Sequence, residues 1–96
     1  MPLTSLNLSD TPVKDLSPLQ GMPLTGLVIV DTLVTDLSPL RGMQLTFLYF
    51  NYTKIADLTP LQGMPLASLN LSNTPAAKMP LPEWLDRSIV SGLKDT

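Results

Sequence analysis

Hydrophobic and polar positions follow one another in a fixed order along this chain, and that order returns every 21 residues. Four successive copies begin at Met1, Met22, Met43 and Met64. In the first three copies, ten of the 21 positions hold the same residue, in the order Met, Leu, Thr, Leu, Thr, Asp, Leu, Pro, Leu and Gly. A fixed period of this length is the signature of a solenoid, in which each copy forms one turn and the stacked turns share a core. The pattern therefore predicts a stack of four turns.

Each copy divides into a strand half and a turn half. Counted from the Met, the apolar positions are 3, 6, 8, 13, 16 and 19, which in the second copy are Leu24, Leu27, Ile29, Val34, Leu37 and Leu40. The alternation Leu27-x-Ile29 has a period of two, so it predicts a short strand with both side chains turned inward. Thr32 follows three residues after Ile29, where its hydroxyl group is expected to bond to backbone groups at the bend and to the next turn.

The second half of each copy has the order Asp-Leu-Ser/Thr-Pro-Leu-x-Gly. In the second copy, Asp36 is placed to cap a short helical turn, and Pro39 fixes φ near the start of that turn. Gly42 permits a left-handed exit from the turn. Each copy is therefore predicted to contain one strand, one bend and one tight turn, of the 3₁₀ kind.

The spacing Leu-x-x-Leu-x-Leu-x-x-Thr-x-Val, which occupies residues 3–13 and returns in later copies, resembles the leucine-rich repeat. The half Asp-Leu-Ser-Pro-Leu resembles bacterial members with short repeats, both the internalin type and the repeats appended to some bacterial protein kinases. The resemblance covers residues 1–76 and implies a right-handed α/β-type solenoid, with a short parallel sheet on its concave face and tight turns on its convex face. Thr replaces the more usual Asn at the bend. A parallel β-helix is the rival architecture, but the Asp-Leu-Ser-Pro-Leu half lacks the alternation that its extra strands need.

The two ends of the chain differ from the repeats between them. Residues 1–77 are assigned to the solenoid with a four-stranded sheet, and residues 78–96 to a C-terminal capping segment. Within that segment, the i+4 spacing of Leu85, Ile89 and Leu93 predicts an amphipathic helix over residues 82–93, with Trp84 in the core. At the other end, the consensus begins at once, so an open strand edge is expected there, and the chain is expected to be a fragment of a longer protein.

The outward strand positions are where a ligand is expected to bind in the leucine-rich geometry. These are positions 5, 7, 9 and 10 of each copy, and in the first and fourth copies they hold small polar residues. In the middle copies they form an apolar and aromatic patch that contains three of the five aromatic residues of the chain. The alternative interpretation is drift at tolerant positions, with the aromatic rings stabilised by cross-strand packing alone. The candidate partner-binding residues are Val28, Val30, Asp31, Phe47, Tyr49, Asn51 and Tyr52.

Composition and charge exclude several classes of function. A net charge of −2 gives no basic stripe for nucleic acid, and no run of 18 apolar residues is present to cross a membrane. The chain has no His and no nucleophile placed beside a base, so we expect neither catalysis nor a cofactor. The Met residues at the start of each copy are interpreted as packing, and the repeated Asp residues as turn caps rather than a calcium site. Without Cys or a signal peptide, a cytoplasmic setting is slightly favoured, although the compartment stays undecided.

These features together predict a non-enzymatic module that binds a partner protein through its concave face. The alternative is a structural spacer or self-association element that uses the open N-terminal edge. A third hypothesis, a regulatory segment of a bacterial kinase, comes only from the family resemblance.

Overall fold

The computed structural model describes residues 4–91, which form a five-stranded parallel sheet and a series of 3₁₀ turns. The strands are β1 (Ser5–Asn7), β2 (Gly26–Val28), β3 (Phe47–Tyr49), β4 (Ser68–Asn70) and β5 (Val90–Ser91). The 3₁₀ turns are Ser17–Leu19, Ser38–Leu40, Thr59–Leu61, Pro75–Lys78 and Arg87–Ile89. Within residues 4–91 the chain forms no α-helix.

The repeat of the sequence sets the register of the sheet. Neighbouring strands pair in chain order, and Leu6, Leu27, Leu48, Leu69 and Val90 lie opposite one another. Each step between these partners is 21 residues, the period of the sequence. Because side chains alternate between the two faces of a strand, this register turns the same repeat positions inward in every turn of the stack.

The bend after each strand is closed by the repeated threonine. Each hydroxyl group donates to the backbone carbonyl three residues earlier, over 2.6 to 2.9 Å, at Thr11, Thr32, Thr53 and Thr74. The last three of these threonines are buried. All four bonds stay within one repeat, so the expected bond to backbone groups at the bend is confirmed, while the bonds found at these hydroxyl groups do not reach the next turn.

The prolines and glycines of the turn half act as the sequence predicts. Each of the first three 3₁₀ turns carries its Pro at the second position, where the missing N–H is not needed. The glycine that follows has a φ of 79° at Gly21, 83° at Gly42 and 86° at Gly63, in the left-handed region. The repeated aspartate is not the residue directly before the turn, which is a leucine. It lies one residue earlier, and its carboxylate accepts the backbone N–H of the first residue of the turn.

One hydrophobic core lies between the sheet and the 3₁₀ turns. Leu27, Ile29 and Val34 are fully buried in the second repeat, and Phe50 fills the corresponding inward position of the third repeat with no exposed surface. Phe50 was expected in the core, and this is confirmed. In the first repeat the equivalent residues Leu6, Leu8 and Val13 are only half-buried, so the core is less covered at its N-terminal end.

The predicted C-terminal helix over residues 82–93 is wrong for the part that the structure describes, and so is the four-stranded sheet. Residues 87–91 form a 3₁₀ turn and β5 instead. Val90 lies opposite Leu69, one period later, and the backbone N–H of Leu71 donates to the Ser91 carbonyl over 3.2 Å. An isolated helix of this length is marginal in water, whereas the free edge of β4 offers backbone partners at once. Leu93 lies outside the described residues.

Trp84 was expected in the core, and this is also wrong, because 38% of the side chain is exposed. Leu85 is buried in its place, at 8% exposure. The boundary drawn between residues 77 and 78 falls inside the turn Pro75–Lys78.

Candidate functional site

The outward face of the central strands carries three of the seven residues singled out in the sequence, and the chain that follows those strands into the bend carries the other four. The sheet register places Val28 opposite Tyr49 and Gly26 opposite Phe47. The ladder continues past the strands, since Asp31 donates its backbone N–H to the Asn51 carbonyl over 2.8 Å. The seven residues therefore lie on two adjacent repeats and form one surface, which we call the sheet-face patch: Val28, Val30, Asp31, Phe47, Tyr49, Asn51 and Tyr52.

Phe47 and Tyr49 lean in different directions across the sheet. The ring of Phe47 lies over Gly26 on the neighbouring strand, so a methyl group added at Gly26 would overlap the ring. Tyr49 reaches the other way, with its hydroxyl oxygen 3.3 Å from the Ser68 hydroxyl oxygen on β4. The two ring centroids are 5.5 Å apart, with planes tilted by 47°, a spacing at which aromatic rings attract one another. Both residues are half-buried, so each ring packs partly on the sheet and stays partly exposed.

Tyr52 stands at the end of the patch in an unusual backbone conformation. Its φ is 60°, in the left-handed region, and 61% of its side chain is exposed. The equivalent residues in the other repeats have the same conformation, with φ of 61° at Asp10, 56° at Asp31 and 61° at Asn73. Asp and Asn tolerate this region because their short polar side chains bond locally, whereas a bulky residue there is strained. Sequence reasoning placed Tyr52 on the surface but missed this strain, although Asp, Asp and Asn at the same repeat position were a usable signal.

Two asparagines that frame the patch, Asn7 and Asn70, accept hydrogen bonds within their own repeats. Asn7 accepts from the backbone N–H of Ser9 over 2.9 Å, and Asn70 accepts from that of Ser72 over 3.2 Å. Asn51, in the patch itself, is different, because its Oδ1 is buried and has no hydrogen-bond partner within the described part of the chain. A buried acceptor without a donor is unfavourable by roughly 1–3 kcal/mol. The oxygen without a partner therefore lies beneath the surface of the patch, at Asn51.

The repeated aspartates lie apart from this patch, at the 3₁₀ turns. The hydroxyl group of Ser17, and then its backbone N–H, hold the pKa of Asp15 below its ordinary value of 3.8. The residue two positions later lowers the pKa in the same way, side chain first, at Asp36, Asp57 and Asp86. These bonds explain the aspartates as turn-forming residues. Residues 4–91 contain no group of three or more acidic, His or Cys side chains placed to hold a metal ion.

A groove of about 510 Å³ lies elsewhere on the described surface, between the loops 21–25 and 41–44. Met22 and Met43 line it together with Arg41, and none of the seven sheet-face residues takes part. Met22 and Met43 thus pack on the core beside a shallow groove, and Met64 also packs on the core. The described residues also include no helix long and apolar enough to cross a membrane.

Comparison of the chain with models of known protein families and with curated proteins finds no match. The assignment of function therefore depends on the geometry of the sheet face.

Proposed function

We propose that this chain is a non-enzymatic module that binds a partner protein through the sheet-face patch. Phe47, Tyr49 and Tyr52 would provide apolar anchoring, and Val28 and Val30 would extend it. Asp31 and Asn51 would provide directional hydrogen bonds. Aromatic residues clustered at the centre of an interface carry much of its binding energy, while a polar rim excludes water.

The proposal includes the finer description of the fold as a right-handed solenoid of leucine-rich type. Connections between parallel strands of one sheet are right-handed in nearly all known proteins, and β1 to β5 are all parallel. The resemblance to the leucine-rich repeat implies that the sheet lines the concave side of the coil, so the patch would lie on the concave face. A concave surface surrounds a partner segment more completely than a flat one does.

The observation that carries the proposal is Tyr52. A large aromatic side chain that is 61% exposed gains little from the core, and its left-handed backbone is strained. A strained and exposed residue does not stabilise the fold, so its presence indicates selection for another role. Strained residues cluster at binding sites. The paired rings of Phe47 and Tyr49 lie in the same repeat and would add aromatic surface to the contact that Tyr52 makes with a partner.

A capture experiment tests the proposal. The wild-type chain, the triple variant Phe47→Ser, Tyr49→Ser, Tyr52→Ser and the control Leu33→Ser, Met79→Ser would be immobilised and exposed to lysate of the source cells. Leu33 and Met79 are 59% and 51% exposed and lie outside the patch, so the control also removes exposed apolar side chains. A protein held by wild type and by the control is then purified and titrated. We expect the triple variant to weaken its binding at least about thirty-fold, as loss of hot-spot residues does.

Circular dichroism and urea unfolding would first show that all chains are folded. Equal capture by wild type and triple variant would refute the proposal. A sharper variant is Gly26→Ala, which removes no aromatic group but forces the Phe47 ring off its neighbour. Since that ring is the flexible end of a side chain, we expect a change in affinity with little loss of stability.

A second candidate function is self-association through the N-terminal end of the stack. The observation that favours it is the half-burial of Leu6, Leu8 and Val13, whose counterparts in the second repeat are fully buried. An incompletely covered core beside an edge strand is a surface on which another chain can add. Sedimentation at rising concentration separates the two candidates, because patch binding requires no increase in mass.

A further inference from the structure

The charged groups at the outward positions of the first four repeats are both negative. Positions 5, 7, 9 and 10 of the four repeats give 16 outward residues, among which Asp10 and Asp31 are the charged ones. Within residues 4–91, the basic residues occupy other positions in the repeats. Although the whole chain carries a net charge of only −2, the outward positions of the first four repeats thus hold two negative charges and no positive one.

Asp10, Asp31 and Tyr52 stand in a row across three neighbouring repeats. Each occupies the left-handed bend position of its repeat. Backbone hydrogen bonds join the neighbouring repeats at this level. Asp10 donates its N–H to the Val30 carbonyl over 2.9 Å, and Asp31 donates to Asn51 over 2.8 Å. Parallel strands lie about 4.8 Å apart, so the row of three residues spans about 10 Å of backbone, which one short segment of a ligand can cover.

The two carboxylates are not used inside the fold. The aspartates whose side chains accept hydrogen bonds within residues 4–91 are Asp15, Asp36, Asp57 and Asp86, all at the 3₁₀ turns. Asp10 and Asp31 are both exposed. Nor does the left-handed backbone require a charge, because Asn73 adopts the same φ of 61° with a neutral side chain. Two adjacent like charges repel each other, and a cation placed between them removes that repulsion.

We infer that the partner presents a basic segment to this face, with an arginine or lysine side chain that lies on the Tyr52 ring and close to the carboxylates of Asp31 and Asp10. This inference rests on the proposed function and specifies the chemistry of the partner. The aromatic face attracts the cation through its quadrupole, and the carboxylates add hydrogen-bond acceptors. An apolar residue next to the cation would cover Phe47 and Val28.

The test uses two fluorescent peptides, one in which arginine alternates with leucine and one in which citrulline, the neutral isostere, replaces arginine. Binding is measured by fluorescence anisotropy on the full chain, with amide shifts of the patch residues recorded by NMR. We expect wild type to prefer the arginine peptide by at least about ten-fold. The preference should decrease as salt is raised, because exposed charges are screened.

The decisive variant is Asp10→Asn, Asp31→Asn, which keeps side chains that suit the left-handed backbone. It should lose the preference for arginine. The matched control is Asp15→Asn, Asp36→Asn at the turns, which changes the net charge by the same amount and should keep the preference. An equal preference in both double variants would show that overall charge, and not this row, attracts the peptide, and the inference would be overturned.

The remaining outcomes separate the inference from the proposed function. If wild type binds both peptides equally, or binds neither up to about 1 mM, the basic segment is refuted. If the two peptides bind equally and the aromatic triple variant loses both, the patch is a binding site for a neutral partner. If the triple variant binds the peptides as wild type does, both the inference and the proposed function fail.

Discussion

At the bend of every repeat, one residue adopts a left-handed backbone conformation, and its side chain decides how strained the bend is. Asp10, Asp31 and Asn73 suit that conformation, since Asp and Asn enter the left-handed region more readily than other residues with a side chain. Tyr52 lacks that preference and has a φ of 60°. The third repeat therefore carries a local cost that the other three avoid, at the same residue that contributes most exposed aromatic surface to the patch.

Exchange of residues between the third and fourth bends measures that cost. We expect Tyr52→Asn to raise the free energy of unfolding by about 1 kcal/mol, and the reverse substitution Asn73→Tyr to lower it by a similar amount. Urea unfolding at neutral pH provides both values. If neither substitution changes stability, the left-handed conformation is not strained by a tyrosine side chain, and the structural argument for selection at Tyr52 is lost.

Among the elements, the 3₁₀ turns depend on ionised aspartates. Hydrogen bonds hold the pKa values of Asp15, Asp36, Asp57 and Asp86 below the ordinary 3.8. The unfolded chain therefore binds protons at a higher pH than the folded one does. The stability that these bonds contribute is complete above pH 3.8 and is lost as the pH falls below it through the folded pKa values.

Acid unfolding tests this dependence. We expect the urea midpoint of the wild-type chain to decrease between neutral pH and a pH below 3.8. Replacement of all four turn aspartates by Asn should flatten that decrease, because the amide oxygen still accepts a hydrogen bond but does not titrate. The variant Asp10→Asn, Asp31→Asn is the control, since its exposed carboxylates do not bond to the turns, and it should decrease as wild type does. A control that flattened the curve equally would assign the acid sensitivity to general charge.

The C-terminal strand offers a test of which periodicity the chain obeys after residue 85. Val90 points toward the core and Ser91 points outward, as a period of two requires. We expect Val90→Asp to destabilise the chain by about 1–3 kcal/mol through burial of a carboxylate, and Ser91→Asp to change stability by less than about 0.5 kcal/mol. Equal effects of the two substitutions in urea unfolding would contradict the strand.

The same segment shows why the repeats were predictable and the C-terminal end was not. In the repeats, Leu27 and Ile29 fix the strand while Pro39 and Gly42 fix the turn, so local preference and stacking agree. After residue 80, the spacing of Leu85 and Ile89 satisfies a helix, and only the open edge of β4 selects a strand. That edge is a tertiary feature, although the distance of 21 residues from Leu69 to Val90 was visible in the sequence.

The clustering of the candidate residues on two adjacent repeats was predictable from the sequence, and the geometry of their side chains was not. The register followed from the period, so Val28 was correctly expected beside Tyr49. That the Phe47 ring lies over Gly26 depends on a choice of side-chain conformation that the missing Cβ of Gly26 allows. The buried Oδ1 of Asn51 depends in the same way on how neighbouring side chains pack. Neither follows from spacing alone.

For the whole molecule, stability should be graded along the stack, because each turn contacts only its neighbours. A central repeat is covered on two sides, whereas the first repeat is covered by the second, and its inward residues Leu6 and Leu8 are half-buried. In the third repeat, Leu48 and Phe50 have no exposed surface. The half-buried first repeat has one of two roles: it stays exposed to solvent, or it forms an interface with a second copy of the chain.

Hydrogen exchange of three matched amides distinguishes those two roles. The backbone N–H groups of Leu8, Ile29 and Phe50 occupy the same repeat position and donate to the next strand over 2.8, 2.8 and 3.0 Å. Because local opening is easiest where the core is least covered, we expect Leu8 to exchange at least about ten-fold faster than Ile29 and Phe50. If the chain acts through its patch, that ratio stays constant as protein concentration rises. Selective slowing of Leu8 at high concentration would instead mean that a second copy covers the first repeat, and self-association would replace patch binding as the better account.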